Sequence, residues 1–171
     1  MNEVFRKKAI LIFQVVPEDL YIGLICAFIF GLIVFCDLYG IKKGLKFSAG
    51  LLLVEYIVLL LSSTVLFRTT NLAWRHDFIP FGSYKAMFDG LNEFLADNLL
   101  NSFVFLPIGF LLGVSCKSIK WWVVLLIGFG ISFTIEFLQF ILHRGYAQFD
   151  DVLHNVIGCL IGYGLFKIIL N

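Results

Sequence analysis

Polar side chains recur at helical spacing along two apolar stretches near the end of the chain. Glu136, Gln139 and His143 are spaced i, i+3 and i+7, so a helix places them on one face. Asp151 and Asn155 share a face of the next stretch in the same way. Because a short turn joins the two stretches, the two faces can meet. Carboxylates and amides gathered in this way can exchange a proton with a substrate or bind a polar head group.

These two faces also have a structural interpretation. Glu136 and Gln139 are interpreted either as a site carboxylate steadied by an amide or as a polar clamp that holds these two stretches together, worth about 0.6–2 kcal/mol. We favour the site, because a carboxylate is a costly choice inside a bilayer for a clamp that an amide could make. Asp151 and Asn155 have either a functional role in the site or a structural role in holding the helices together. Asp150 is interpreted as a helix cap with an interhelical hydrogen bond.

Other polar residues complete the predicted site. Arg144, beside the turn, is either an anion clamp for a head group or phosphate, or an arginine anchored at the lipid surface. Asn101 is expected to reach Asp77 or Arg75 in a polar connection. Glu55, in the middle of an earlier apolar stretch, is interpreted as a protonated or interhelically bonded carboxyl. Substrate binding is therefore assigned to Gln139, Arg144, Asn155, Asn101 and Asp77, and catalysis, as a hypothesis, to Glu136 and Asp151.

The sequence contains none of the patterns that bind the common cofactors. His76, His143 and His154 lack the spacing typical of metal ligands, and the four cysteines form no CxxC pair. There is no P-loop, dinucleotide fingerprint or serine elbow. We therefore expect neither a metal nor a cofactor. The net charge of +1 argues against a nucleic-acid partner.

The composition indicates that these polar residues lie in a lipid bilayer. Of the 171 residues, 60% are apolar and 15% are charged, and the mean hydropathy is +0.95. Soluble domains are about 45–50% apolar and about 25% charged. The predicted fold is therefore all-α, a polytopic membrane bundle of about five transmembrane helices plus a short N-terminal interfacial helix within residues 1–16. The five apolar segments are Leu20–Phe35, Phe47–Phe67, Phe94–Val114, Trp121–Leu142 and Asp151–Leu170.

The connections between these segments predict how the bundle is organised. Residues 37–46 are expected to form a basic loop, and we place the first segment and interfacial helix in 1–46 and a four-helix membrane domain in 47–171. The long polar connection 68–93 is expected to fold back onto the membrane face. If all five segments cross the membrane, the connection 68–93 lies on the same face of the membrane as the turn after the fourth segment. Basic residues are nearly balanced between the two faces, so they do not decide the orientation.

Short motifs in this part of the chain resemble those of the VanZ-like family. The motifs are IPF at Ile79–Phe81, N-x-x-x-F-x-P-x-G at Asn101–Gly109, S-x-x-x-E-x-x-Q at Ser132–Gln139, the following Arg144, and D-D-V-x-x-N-x-x-G at Asp150–Gly158. Their order and spacing cover Phe47 to about Lys167. Each motif alone is weak, and it is their common register that carries the resemblance.

The resemblance implies a multi-pass protein of the bacterial plasma membrane, linked to low-level resistance to teicoplanin-type glycopeptide antibiotics. It also implies that the connection after the second segment and the turn after the fourth face outward. The expected partners, besides the lipid bilayer, are a glycopeptide antibiotic or a lipid-linked cell-wall precursor held in an outward polar pocket. An alternative is an intramembrane enzyme that modifies a lipid or envelope substrate, with Glu136 as general acid or base, Asp151 as its orienting partner and Arg144 as an anion clamp. A single polar cluster without repeated broken helices argues against a transporter.

Overall fold

The computed structural model describes residues 14–70, 76–88 and 93–170. Five of its helices are long and apolar enough to cross a membrane, which confirms the all-α, five-span fold. The interfacial helix expected within residues 1–16 falls almost entirely outside the described residues. The helices are α1 (Glu18–Tyr39), α2 (Ile41–Leu61), α3 (Gly82–Phe88), α4 (Glu93–Ser115), α5 (Trp121–Ile141) and α6 (Phe149–Leu170). A π-helical turn (Ser62–Leu66) extends α2, and two short strands are β1 (His76–Asp77) and β2 (Ala147–Gln148).

The connection between α1 and α2 is shorter than the sequence predicted. Gly40 alone separates the two helices, and its φ of 76° is one that glycine adopts at little cost. The prediction of a loop over 37–46 is therefore wrong, since Asp37 ends up in α1 and Lys46 in α2. The error arose because lysines at the start of α2 were interpreted as a loop, although a long side chain on the first turns of a spanning helix can reach the membrane surface.

The core of the bundle lies among α2, α4, α5 and α6. Its largest fully buried side chains come from these four helices and include Leu60, Phe105, Ile108, Val124 and Phe166. Helix α1 lies at the periphery and packs against α2, and Gly31 is its buried residue. The apolar surface of α1 is thus the part of the bundle most open to lipid.

Glycines allow α4 and α6 to pack with their backbones in close contact. A Cβ atom added at Gly158 would collide with the backbone carbonyl of Ser102, and one added at Gly162 would collide with that of Leu106. Gly109 of α4 is similarly enclosed by the backbone of α6. Gly158 and Gly162 therefore form the face of α6 that contacts α4.

The connection after α2 lies directly on the turn after α5. Strands β1 and β2 pair in parallel, with His76 opposite Ala147 and Asp77 opposite Gln148, and Thr70 forms an antiparallel bridge with Arg144. The two connections therefore share one face of the bundle, as the five-segment topology predicted. They form a folded cap over the ends of α5 and α6.

Candidate functional site

The polar faces of α5 and α6 meet inside the bundle. The side-chain nitrogen of Asn155 donates a hydrogen bond to the Ser132 hydroxyl at 2.8 Å. One turn closer to the cap, the carboxylates of Glu136 and Asp151 are near enough to interact electrostatically. Glu136 is 7% exposed and Asn155 is 5% exposed, so both point into the protein. The structure therefore brings together three residues of the predicted site, Glu136, Asp151 and Asn155, and adds Ser132, which the sequence analysis named only as part of a motif.

A fifth side chain reaches this group from α4. Asn101 makes a side-chain hydrogen bond to Asp151, and we name Asn101, Ser132, Glu136, Asp151 and Asn155 the inner cluster. Asp77, which the sequence analysis paired with Asn101, lies instead in the cap. Its carboxylate accepts a hydrogen bond from the backbone N–H of Ile79 at 3.0 Å and shapes the local turn. Arg75, the other expected partner of Asn101, lies outside the described residues.

Glu136 connects the inner cluster to the cap. Its Oε2 atom accepts a hydrogen bond from the backbone N–H of Gln148 in β2 at 2.9 Å. Because β2 pairs with β1, the position of this carboxylate is tied to the pairing of the two connections. The inner cluster thus lies at the capped end of the bundle rather than at its middle.

Gln139 contacts α2 rather than Glu136. Its side-chain nitrogen donates to the backbone carbonyl of Thr64 at 3.2 Å, in the π-helical turn, and its side chain is buried. The amide therefore acts as a clamp between α5 and the end of α2, whereas the clamp considered from the sequence joined the fourth and fifth segments. Its contribution to ligand binding stays a prediction.

Arg144 is also engaged with the end of α2. Its guanidinium donates to the backbone carbonyls of Val65, at 3.0 Å, and of Leu66. Carbonyls at the end of a helix lack partners within the helix, and a cation placed there also interacts favourably with the helix dipole. The structure thus uses this arginine to cap the π-helical turn.

Arg68 is the cation that interacts with the inner cluster, and the sequence analysis did not single it out. Its charge interacts with the carboxylates of both Glu136 and Asp151. Its Nη1 atom lies 2.7 Å from where a Cβ at Gly145 would be, so the glycine leaves room for the guanidinium. Gly145 has a φ of 93°, which also favours glycine. Arg68 itself is exposed, and it therefore stands at the rim of the cluster.

Asp150 caps α3 rather than its own helix. Its carboxylate accepts hydrogen bonds from the backbone N–H of Phe81 at 2.7 Å and of Ser83 at 2.9 Å, and from the Ser83 hydroxyl at 2.6 Å. Next to it, His154 is held between the Asp150 backbone carbonyl at 2.6 Å and the Tyr84 hydroxyl at 2.9 Å. Neighbouring acids of α6 therefore differ in role, since Asp150 holds the cap and Asp151 faces the cluster.

Two oxygen atoms of the inner cluster have no hydrogen-bond partner among the described residues. They are Oδ1 of Asp151 and Oδ1 of Asn155, and both are buried. Glu55 of α2 has a similarly buried and unpartnered oxygen, Oε1. A buried polar atom without a partner costs about 1–3 kcal/mol, so such atoms in a bilayer usually mark a site that meets another molecule.

The sequence analysis expected neither a metal nor a cofactor. Within residues 14–70, 76–88 and 93–170, no group of three or more His, Cys, Asp or Glu side chains is arranged to hold a metal ion. His154, the imidazole nearest the inner cluster in sequence, is engaged with Asp150 and Tyr84 as described above. The side chains gathered at the site are carboxylates, amides, a hydroxyl and a guanidinium.

Comparison with known proteins assigns this arrangement to a family. A family model described as VanZ/LLP1 matches residues 47–170. The chain belongs to the VanZ-like family. The whole inner cluster, Arg68 and the cap lie within the VanZ-like segment, whereas α1 and the first turns of α2 precede it. No curated protein and no solved structure matches the chain.

Proposed function

We propose that this VanZ-like protein lowers susceptibility to teicoplanin-type glycopeptides from the bacterial plasma membrane, by binding an amphiphile at the inner cluster through an outward-facing pocket. The amphiphile is the antibiotic itself or a lipid-linked envelope precursor. The observation that supports this most directly is the pair of buried, unpartnered oxygens on Asp151 and Asn155. A ligand with matching donors would offset the cost of leaving them unpaired.

The surroundings of the inner cluster support an amphiphilic ligand. The cap above it carries apolar side chains that remain largely exposed, including Ile79 at 70% and Phe88 at 91%. Polar groups buried at the end of a bundle, next to exposed apolar side chains, suit a molecule with a polar head and an apolar tail. Resistance to an antibiotic that carries an acyl chain is consistent with such a site.

The proposal is tested by expressing the protein in a susceptible bacterium and measuring the minimum inhibitory concentration of teicoplanin. Asn155→Leu removes both polar atoms of the amide at similar size and is expected to return susceptibility to that of the empty vector. Thr134→Val on α5 is the matched control, since Thr134 is exposed and bonds within its own helix to the Gly130 carbonyl. Membrane levels of each variant are measured in parallel. Full resistance in well-expressed Asn155→Leu would contradict the proposal.

A second candidate function is an intramembrane enzyme acting on a lipid or envelope substrate. It is favoured by the placement of two carboxylates, Glu136 and Asp151, within electrostatic reach of each other and of Arg68. Glu136 would transfer the proton as general acid or base, and Asp151 would position it.

Replacement of Glu136 by glutamine separates the two functions. A glutamine keeps the shape and can still accept the Gln148 hydrogen bond, but it cannot transfer a proton. If the protein binds its ligand without reaction, Glu136→Gln retains at least part of the resistance. If it is an enzyme, the variant loses all resistance at unchanged membrane level and melting temperature, and retained resistance would eliminate the enzyme.

A further inference from the structure

The inner cluster offers more hydrogen-bond acceptors than donors. Asn155 is 5% exposed, and its Oδ1 is buried without a partner while its Nδ2 is used on Ser132. Ser132 lies one turn before Glu136 on α5, and Asn155 lies one turn after Asp151 on α6, so the Asn155 amide is enclosed within the cluster. Oδ1 of Asp151 is likewise buried and unpartnered. A ligand that satisfies these atoms must donate hydrogen bonds.

The charges around the cluster favour a cationic donor over a neutral one. Asp151 interacts with the carboxylates of Glu136, Asp97 and Asp150, and Arg68 is the cation that interacts with both Asp151 and Glu136. Buried like charges repel each other strongly because the surrounding dielectric is low. A ligand that brings a positive charge to the two carboxyl groups favours their ionised forms, which a neutral hydroxyl group does far less.

A primary ammonium suits this site because it is a cation that also donates hydrogen bonds. An ammonium has three N–H donors, and the facing helices α5 and α6 carry the Glu136 carboxylate and the unpartnered Oδ1 atoms of Asp151 and Asn155 as possible acceptors. A quaternary ammonium has no N–H group and would leave the same oxygens unpaired.

We infer that the inner cluster binds the primary ammonium of an amphiphile's head group, with the phosphate of that head group toward Arg68. The inference rests on the proposed function, because it names the chemistry of the ligand at the same site. Arg68 is exposed at the rim, and a guanidinium pairs well with a phosphate. Arg144 is not available in the same way, since its guanidinium is held by the carbonyls of Val65 and Leu66.

The experiment measures thermal unfolding of the full chain in detergent micelles while a probe is titrated. The probes are short-chain phosphatidylethanolamine, its phosphatidylcholine counterpart, ethylammonium and tetramethylammonium. A ligand that binds the folded state raises the melting temperature in a concentration-dependent way, and the titration yields an apparent Kd. We expect phosphatidylethanolamine to bind roughly tenfold more tightly than phosphatidylcholine, which corresponds to one charge-assisted hydrogen bond. We also expect ethylammonium to bind more weakly and tetramethylammonium to show no saturable shift.

Two variants and a control locate the binding. Asp151→Asn keeps the shape of the side chain and is expected to remove the preference for phosphatidylethanolamine. Arg68→Gln is expected to weaken phosphatidylethanolamine binding and leave ethylammonium binding unchanged, which distinguishes a phosphate-bearing head group from a free amine. Asp19→Asn, an exposed position at the start of the peripheral helix α1 and outside the inner cluster, is expected to match the wild type. Equal affinities of the wild type for the two lipids would overturn the inference without any variant, as would a preference that survives Asp151→Asn.

The lipid titration and the teicoplanin measurement together separate this inference from the proposed function. If Asn155→Leu abolishes teicoplanin resistance but the wild type binds the two lipids equally, the inference of an ammonium site is wrong and the resistance function stands. If the lipid preference depends on Asp151 but teicoplanin susceptibility is the same with and without the protein, the ammonium site stands and the resistance function is wrong.

Discussion

Asp150 of α6 holds Ser83 of α3 through two hydrogen bonds, one to the backbone N–H at 2.9 Å and one to the hydroxyl at 2.6 Å. This contact, with the third bond to the Phe81 N–H, fixes the cap onto the helix that also carries Asp151. The next residue along the chain therefore faces the inner cluster while Asp150 faces the cap. Adjacent residues of α6 therefore contact the cap and the inner cluster.

The first prediction concerns that contact. Asp150→Asn removes the charge and replaces one acceptor by a donor, so at least one of the three bonds is lost. Hydrogen bonds to charged groups contribute about 1.5–3 kcal/mol each. The free energy needed to open the cap should therefore fall by an amount of that order. Hydrogen exchange at the amides of residues 81–88 should speed up while α4 and α6 keep their protection. Asp19→Asn on α1 is the control, and unchanged exchange at Ser83 would contradict the contact.

The second prediction concerns the close packing of α4 and α6. Gly158→Ala places a methyl group against the Ser102 carbonyl, so the two helices must separate, at a cost of about 1–3 kcal/mol or more. Gly164→Ala on the same helix is the matched control, since nothing lies within 4 Å of its added Cβ. Alanine there should be neutral or stabilise the helix by up to about 1 kcal/mol. Melting temperatures in detergent measure both, and equal effects of the two would show that the helices are not in contact at Gly158.

The third prediction distinguishes the two arginines near the cap. Arg144→Gln should lower the melting temperature, because the carbonyls of Val65 and Leu66 lose a charged donor worth about 1.5–3 kcal/mol. Arg68→Gln should change the melting temperature little, because the Arg68 side chain is exposed and exposed charge pairs contribute at most about 1 kcal/mol. Loss of resistance at unchanged stability is therefore expected for Arg68→Gln alone. The reverse pattern would assign the ligand-facing role to Arg144.

The fourth prediction tests the contact between α5 and α6 inside the membrane. In a double-mutant cycle, Ser132→Ala and Asn155→Ala should show a coupling energy of about 0.6 kcal/mol and no more than about 1.7 kcal/mol, the range found for interhelical hydrogen bonds in membrane proteins. Reversible unfolding in mixed micelles provides the four stabilities. Ser132→Ala with Thr134→Val is the control pair, for which the effects should add. Additivity in the first pair would show that the hydrogen bond contributes nothing.

The sequence predicted the features that depend on local periodicity. A helix repeats every 3.6 residues, so the spacing of Glu136, Asp151 and Asn155 determined which faces they share before any contact was known. The start of α2 was placed wrongly for a local reason as well, because charge was given more weight than helix continuity at Lys42 and Lys43.

Only the tertiary structure decided which polar groups are partners. Arg68 and Gly145, Gln139 and Thr64, and Asp150 and Ser83 lie far apart in the chain, and no spacing rule relates them. Their contacts depend on the rotation of each helix about its axis and on how two connections lie over one another. Both are set by the packing of glycines and large apolar side chains between helices. The sequence therefore determined that acids and amides turn inward, while the packed bundle decided which arginine stands beside them and which aspartate holds the cap.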